Sequence, residues 1–225
     1  MSDSPRYELF AFWRTSATYR VRVALNLKGI TADEKIINLD AGENRSEAFL
    51  KVNPMGAIPA LIDHGSGQPS APLTQSLAIL EFLEEMHPDV PLLPNDPHGR
   101  ARVRSLCSMM AADTHPLVTG RIKKYLVGQS IMDDAAFRLW QTNWFTTGIK
   151  AFEQRLAMEA GTGTYCHGDI ITMADILLAS IIVVMRVFKI EVEATPNIDR
   201  IMALLDENPA FAKAAPMKQV GAPQG

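Results

Sequence analysis

Three short stretches in the N-terminal third of the chain carry side chains able to hold or activate a small polar ligand. The first is RTSATYR at positions 14–20, where Arg14 stands beside the hydroxyls of Thr15 and Ser16. Hydroxyls at a helix start can accept from unpaired backbone N–H groups, and those N–H groups with the positive end of the helix dipole favour a bound anion. Thr15 and Ser16 are thus either simple helix caps or donors to a ligand. The second stretch is AIPA at 57–60, a proline at the mouth of a strand. A cis bond between Ile58 and Pro59 would turn backbone groups outward for pairing, and a plain edge-strand proline is the alternative. The third is Gln75-Ser76 ahead of the apolar run LAILEFL, a helix start whose amides suit a carboxylate.

The elements that must position these groups follow from hydrophobic periodicity. YELFAFW at 7–13 reads as a buried strand, and SATYRVRVALNLKG after it repeats apolar residues at helical spacing, with Val21, Ala24 and Leu25 facing a sheet. Gly29 suits a helix C-terminus, and 34–39 resumes a strand pattern, completing a β-α-β unit. A short helix over 46–51, a break at Asn53-Pro54, a strand over 60–63, an irregular stretch over 65–72 and a helix over 76–86 complete an α/β domain at 1–88. Prolines at 88, 91, 94 and 97 mark 89–97 as a linker. Beyond it, helical patterns over 100–127, 135–158, 173–188 and 198–205 predict an all-helical domain at 98–225. Thr172 and Asp175, ahead of an apolar run, form a capping-box pattern, a folding device without a catalytic role.

Composition removes whole classes of function. The 225 residues carry 22 basic and 25 acidic side chains, a net charge of -3, so nothing electrostatic points to nucleic acid or an anionic membrane surface. With 47% hydrophobic residues the chain can bury a sizeable core. Two cysteines, Cys107 and Cys166, form neither a C-x-x-C pair nor a zinc spacing and read as reduced thiols. The polar N-terminus lacks the pattern of a signal peptide, and the longest apolar run, 176–185, is too short to span a bilayer, so a cytoplasmic protein is expected.

Six motifs in order, WRTSATYRVRVALNLKG, NPMGAIPAL, TQSLAILEFLEE, LLPNDPHGRARVR, THPL and GDIITMADILLA, resemble the zeta class of cytosolic glutathione transferases. That class includes maleylacetoacetate and maleylpyruvate isomerases. The resemblance implies a thioredoxin-like N-terminal domain that binds glutathione and an all-α C-terminal domain that supplies much of the second-substrate pocket. It also implies a homodimer. Onto its pattern fall Thr15 and Ser16 as donors to the glutathione sulfur, and Ile58 before Pro59 as a backbone partner of the cysteinyl unit. Gln75 and Ser76 fall on the γ-glutamyl end, with Asn44 and His115 as further glutathione contacts. Arg14, Arg121 and Arg186 are the cations available to a diacid. Ala17 departs from the class motif, which has cysteine there, and disfavours any reaction that needs a protein thiol at this site.

The activity so implied is cis–trans isomerisation of a maleyl diacid by reversible addition of the glutathione thiolate, with glutathione as a cofactor that is not consumed. Two other readings stay open at this stage. One is a broad conjugating transferase or α-haloacid dehalogenase that uses the same thiolate. The other is a non-catalytic interaction module, for which the hydroxyls at 15 and 16 and the Gln75-Ser76 pair would be superfluous. Arg186, alone in an apolar helix, either pairs with a buried acid or faces an anion-binding cleft.

Overall fold

The computed structural model describes residues 5–66 and 71–223 and divides into two compact units. The first contains Met1–Pro91 together with Asp206–Gly225, the second Leu92–Leu205. Four strands make the sheet of the first unit: β1 (Tyr7–Ala11), β2 (Ala32–Ile36), β3 (Ala60–Asp63) and β4 (Leu73–Thr74), in the order β2-β1-β3-β4. Helix α1 (Ser16–Leu27) makes the crossover between β1 and β2, which are parallel. β3 runs antiparallel to both β1 and β4, and α2 (Glu47–Val52) and α3 (Ser76–Met86) complete a thioredoxin-like arrangement.

β1 alternates as a two-sided strand must. Tyr7, Leu9 and Ala11 are fully buried on one face, while Phe10 on the other meets Phe49 of α2 with ring centroids 5.7 Å apart. Phe49 also packs with Phe12, Trp13 and Ile58, a cluster that fixes the chain on either side of the sheet's end. α1 and α3 pack together and bury Val21, Ala24, Leu25, Ile79, Leu80 and Leu83, each worth roughly 1.5–3 kcal/mol when a large side chain is fully buried. Their C-terminal ends are pinned by Lys28, whose ammonium donates to Glu84 Oε2 at 2.9 Å and to the carbonyls of His87 and Val90 at 2.8 and 2.7 Å.

Several boundaries differ from the periodicity. β2 lies at Ala32–Ile36, not 34–39: the Ile37 N–H makes a last bond to the Ala11 carbonyl at 2.9 Å, and the chain then turns at 39–42, where the Gly42 N–H donates to the Leu39 carbonyl. β4, two half-buried residues, is too short to show a period. Residues 67–70 of the irregular stretch lie outside the described residues.

The second unit holds α4 (Pro97–Ser108), α5 (His115–Val118), α6 (Gly120–Gly128), α7 (Asp134–Met158), α8 (Met173–Phe188) and most of α9 (Pro196–Glu207). The pattern over 100–127 is not one helix. Met109–Thr114 is a π-helical turn in which Thr114 Oγ1 donates to the Met109 carbonyl at 2.9 Å, Pro116 lacks an N–H to continue the ladder, and Thr119 is extended. Helix α7 meets that turn at Gly148, where any Cβ would collide with Thr114. The capping box is present as expected, with Asp175 accepting from the N–H groups of Thr172 and Cys166 at 2.8 Å each.

Two expected domain boundaries are corrected. Leu92 and Leu93, placed in the linker, are each 1% exposed, and the Leu92 carbonyl accepts from Met173 N at 2.8 Å, so the second unit begins inside 89–97. The C-terminal 206–225, placed in the helical domain, groups with the first unit. α10 (Pro209–Ala214) packs on α1, where Asn26 Nδ2 donates to the Ala210 carbonyl at 2.9 Å and Phe211 is buried.

Candidate active site

Strand register brings the three sequence features to one end of the sheet. Phe10 of β1 pairs with Ala60 of β3, and Ala60 pairs with Thr74 of β4. The segment after β1 carries Arg14, Thr15 and Ser16; the segment before β3 carries Ile58 and Pro59; the residues after β4 are Gln75 and Ser76. Groups 60 positions apart in the chain, roughly, thus become neighbours through two antiparallel pairings.

At the first junction Thr15 occupies the N-cap of α1, yet its side chain does not cap the helix. Its Oγ1 lies 2.6 Å from Thr18 Oγ1 and 3.4 Å from the Phe12 carbonyl. Ser16 is 2% exposed, and among the described residues its Oγ has no hydrogen-bond partner. Buried hydroxyls are rarely left so, and an unpaired one at a helix N-terminus is a place where a ligand atom fits. Capping, the plain alternative for these two hydroxyls, is therefore not what they do.

Arg14 is committed to Asp40, donating from Nη1 to Oδ2 at 2.7 Å and from Nη2 to Oδ1, and its guanidinium lies over the rings of Phe12 and Trp13 at 5.2 and 5.5 Å. Its charge is already balanced, which the sequence reading of a cation beside the hydroxyls did not include. Asn44 Nδ2 donates to the Gly56 carbonyl at 2.7 Å, and a Cβ on Gly56, whose φ is +58°, would come within 2.7 Å of the Asn44 carbonyl. Asn44 therefore acts on the loop ahead of Ile58. Asn53 does the same from the other side, giving a 2.6 Å bond to the Ala57 carbonyl. The Ile58–Pro59 bond is cis, as expected, and since the ladder of β3 begins at Ala60, the Ile58 backbone groups stand before it.

Gln75 adopts φ 69° and ψ 113°, a conformation that costs a non-glycine residue of order 1–3 kcal/mol and persists where the surroundings impose it. Ser76 behind it is buried, and its Oγ accepts from Arg20 Nη1 at 3.1 Å. Arg20 is 2% exposed and is the largest fully buried side chain described. The sequence reading passed over it, because an arginine one position from an apolar helical stripe looks like a solvent cation; α1 is buried on most sides, so that cation faces inward.

The remaining predicted residues belong to the second unit. His115 is half-buried at the start of α5, immediately after the π turn. Arg121 is exposed on α6. Arg186 is exposed in the last turn of α8, beside the carbonyl end of the helix that favours a cation, so its place among apolar neighbours does not put it in the core. Both cysteines are buried, and no disulfide joins them. Burial, with Asp175 adding to it, pushes the Cys166 thiol well above its ordinary pKa, so it stays protonated and inert. Asp175 itself is raised by burial against the bonds it accepts.

Among the described residues no helix is long and apolar enough to cross a membrane. The sequence profile of the glutathione S-transferase N-terminal domain matches residues 5–85. A maleylpyruvate isomerase from Ralstonia sp is 38% identical over 212 residues, covering 94% of this chain and 98% of that protein. The crystal structure of a maleylacetoacetate isomerase from Methylobacterium extorquens AM1, with malonate and glutathione bound, superposes with a TM-score of 0.92 at 44% identity, covering 96% of this chain and 100% of the other. The holo structure of a maleylpyruvate isomerase, a bacterial glutathione transferase of the zeta class, gives a TM-score of 0.90 at 36% identity over 96% of this chain and all of that one. With relatives this similar along nearly its whole length, the chain belongs to the zeta class of glutathione transferases, among the maleylacetoacetate and maleylpyruvate isomerases.

Proposed function

We propose that the chain is a glutathione-dependent isomerase that converts a maleyl diacid to its fumaryl isomer, taking maleylacetoacetate or maleylpyruvate as substrate. The observation that carries this is the pair of hydroxyls at the start of α1, one of them buried without a partner among the described residues, at the same end of the sheet as the cis-Pro59 loop and the Gln75-Ser76 corner. The donor set suits glutathione. First-turn amides of α3 with Ser76, backed by the buried cation Arg20, fit the γ-glutamyl carboxylate, and the side chain of Gln75 fits its amine. Ile58 offers backbone groups to the cysteinyl unit, with Asn44 and Asn53 holding its loop. His115 is carried as a further glutathione contact.

Glutathione, when bound, supplies a thiolate able to add to the conjugated double bond of the substrate and leave again after rotation. The protein's work is to keep that sulfur ionised. A free thiol has a pKa of about 8.5, and hydrogen-bond donation from Thr15, with Ser16 second, plus the N-terminus of α1, lowers it toward neutrality. No protein thiol stands at this place, since Ala17 occupies the motif position and Cys107 and Cys166 are both buried in the second unit. Substrate carboxylates need cations, and Arg121 and Arg186 are assigned to them. Arg14, already paired with Asp40 through two of its five N–H donors, is the third cation available to them. Family membership also implies a homodimer in the cytoplasm, which sedimentation and cell fractionation test.

The deciding measurement is an absorbance assay of maleylacetoacetate and of maleylpyruvate with and without glutathione. Glutathione-dependent loss of one of them at catalytic enzyme concentrations is expected. Absence of such turnover with both overturns the proposal.

A further inference from the structure

Thr18 lies one turn into α1 and is fully buried, and among the described residues its hydroxyl has one side-chain partner, Thr15 Oγ1 at 2.6 Å. A hydroxyl can donate one hydrogen bond and accept two, and it rotates to suit, so the pair can share its bond in either sense. The two ends are not equivalent. Thr15 is half-buried at the helix start and has a second acceptor for its proton in the Phe12 carbonyl, at a marginal 3.4 Å. Thr18 has no second acceptor among the described residues. If Thr15 donates inward, the Thr18 proton is left unpaired in the interior, a cost that buried hydroxyls avoid.

We infer that Thr18 is a positioning residue for the thiol of bound glutathione: it donates to Thr15 Oγ1 and so turns the Thr15 proton outward, toward the sulfur. This rests on the reading of Thr15 as the thiolate's donor. Two effects act together. Holding Thr15 Oγ1 from inside limits the rotation of that side chain, and a hydroxyl that accepts one bond donates a stronger one, by roughly 10–30% per link in a chain of such bonds. The proton of Thr15 stays on Thr15 throughout; what changes is the acceptor it faces. Serine at 18 would preserve the relay, and valine, which has threonine's shape without its hydroxyl, would remove it.

The test is a spectrophotometric titration of enzyme-bound glutathione, following thiolate absorbance against pH, in the full-length wild type and in Thr18→Val, Thr18→Ser and Thr15→Val. Affinity for γ-glutamyl-α-aminobutyryl-glycine, which carries methyl in place of the thiol, is measured in parallel. Thr18→Val is expected to raise the apparent pKa of the bound thiol by about half a unit, cutting thiolate at neutral pH about twofold. Its affinity for the thiol-free peptide should match the wild type, and Thr18→Ser should titrate like the wild type. A larger shift, about one unit or more, is expected for Thr15→Val. If Thr15→Val shifts the thiol but Thr18→Val does not, the relay is refuted while Thr15 keeps its role. If Thr18→Ser shifts it as far as Thr18→Val, or if Thr18→Val weakens the thiol-free peptide as much as glutathione, Thr18 only fills space. No shift in Thr15→Val removes both the relay and the role of Thr15, and leaves the isomerase assay to judge the activity on its own.

Discussion

Arg20→Met removes a buried positive charge from behind the corner assigned to the γ-glutamyl carboxylate, and the structure sets the size of the effect. The guanidinium is 2% exposed, and its Nη1 stands 3.1 Å from Ser76 Oγ. A carboxylate bonded to the far side of that hydroxyl lies about 6 Å from the charge, two hydrogen bonds end to end. At an effective dielectric constant of about 20, Coulomb's law gives about 2.8 kcal/mol at that separation, or about a hundredfold in Kd. Access of water to the ligand lowers this, so a loss of about thirtyfold is the expectation. Calorimetric titration with glutathione measures it, and γ-aminobutyryl-cysteinyl-glycine, which lacks the carboxylate beside the γ-glutamyl amine, serves as the control ligand. The variant should bind the control peptide within about twofold of wild type, because without the carboxylate there is no charge for Arg20 to act on. Equal loss for the two peptides refutes the electrostatic reasoning and makes Arg20 a packing residue; undiminished glutathione binding refutes any role for it at the site.

Lys28→Met removes an ammonium whose side chain is 1% exposed and which bonds Glu84 and two carbonyls; urea denaturation should find the protein about 3–5 kcal/mol less stable, and a loss under about 1 kcal/mol would mean those partners are resolvated at little cost. His87 is held below its ordinary pKa, chiefly by burial and then by the charges of Arg6 and Lys28, while Nε2 meets the Tyr7 hydroxyl at 2.8 Å. Because the folded state then binds a proton less readily than the unfolded chain, stability should fall as pH drops below about 6.5. His87→Gln should flatten that part of the profile, and a profile identical to wild type rules His87 out as its source. Arg186→Ala and Arg121→Ala should each raise KM for the diacid about tenfold with kcat little changed, as expected where ground state and transition state lose the same interaction; unchanged kinetics in Arg186→Ala leave that residue as a helix-end charge.

Most of the first unit was legible because its signals are local. Helix α3 and strand β3 have the bounds that their flanking residues announce, and the cis peptide and the capping box fall where proline at a strand mouth and a Thr-x-x-Asp step indicate. Much of what failed was non-local. The break at Pro116 within 100–127 is itself local, but the packing of α7 on the π turn across Gly148 and the bond between Asn26 and Ala210 that ties 206–225 to the first unit join residues far apart in the chain. The charges at the site divide the same way. Arg14 was visible as a cation, but Asp40, 26 positions away, is brought to it only by the fold. Arg186, which its apolar neighbours leave either as the partner of a buried acid or as a cation facing a cleft, is exposed in the structure.

By itself, then, the sequence determined which chemistry was available: hydroxyls and no thiol at the start of α1, a proline before β3, and a serine at the start of α3, each a backbone or capping signal within a few residues of its cause. The tertiary structure alone decided which of those groups remain for a ligand. Among the described residues it left Ser16 Oγ buried without a partner, paired Thr15 with Thr18, tied Arg14 to Asp40 and turned Arg20 inward to Ser76. Whether a polar atom is spent or spare depends on neighbours supplied by strand register and helix packing, and those neighbours are distant in the chain.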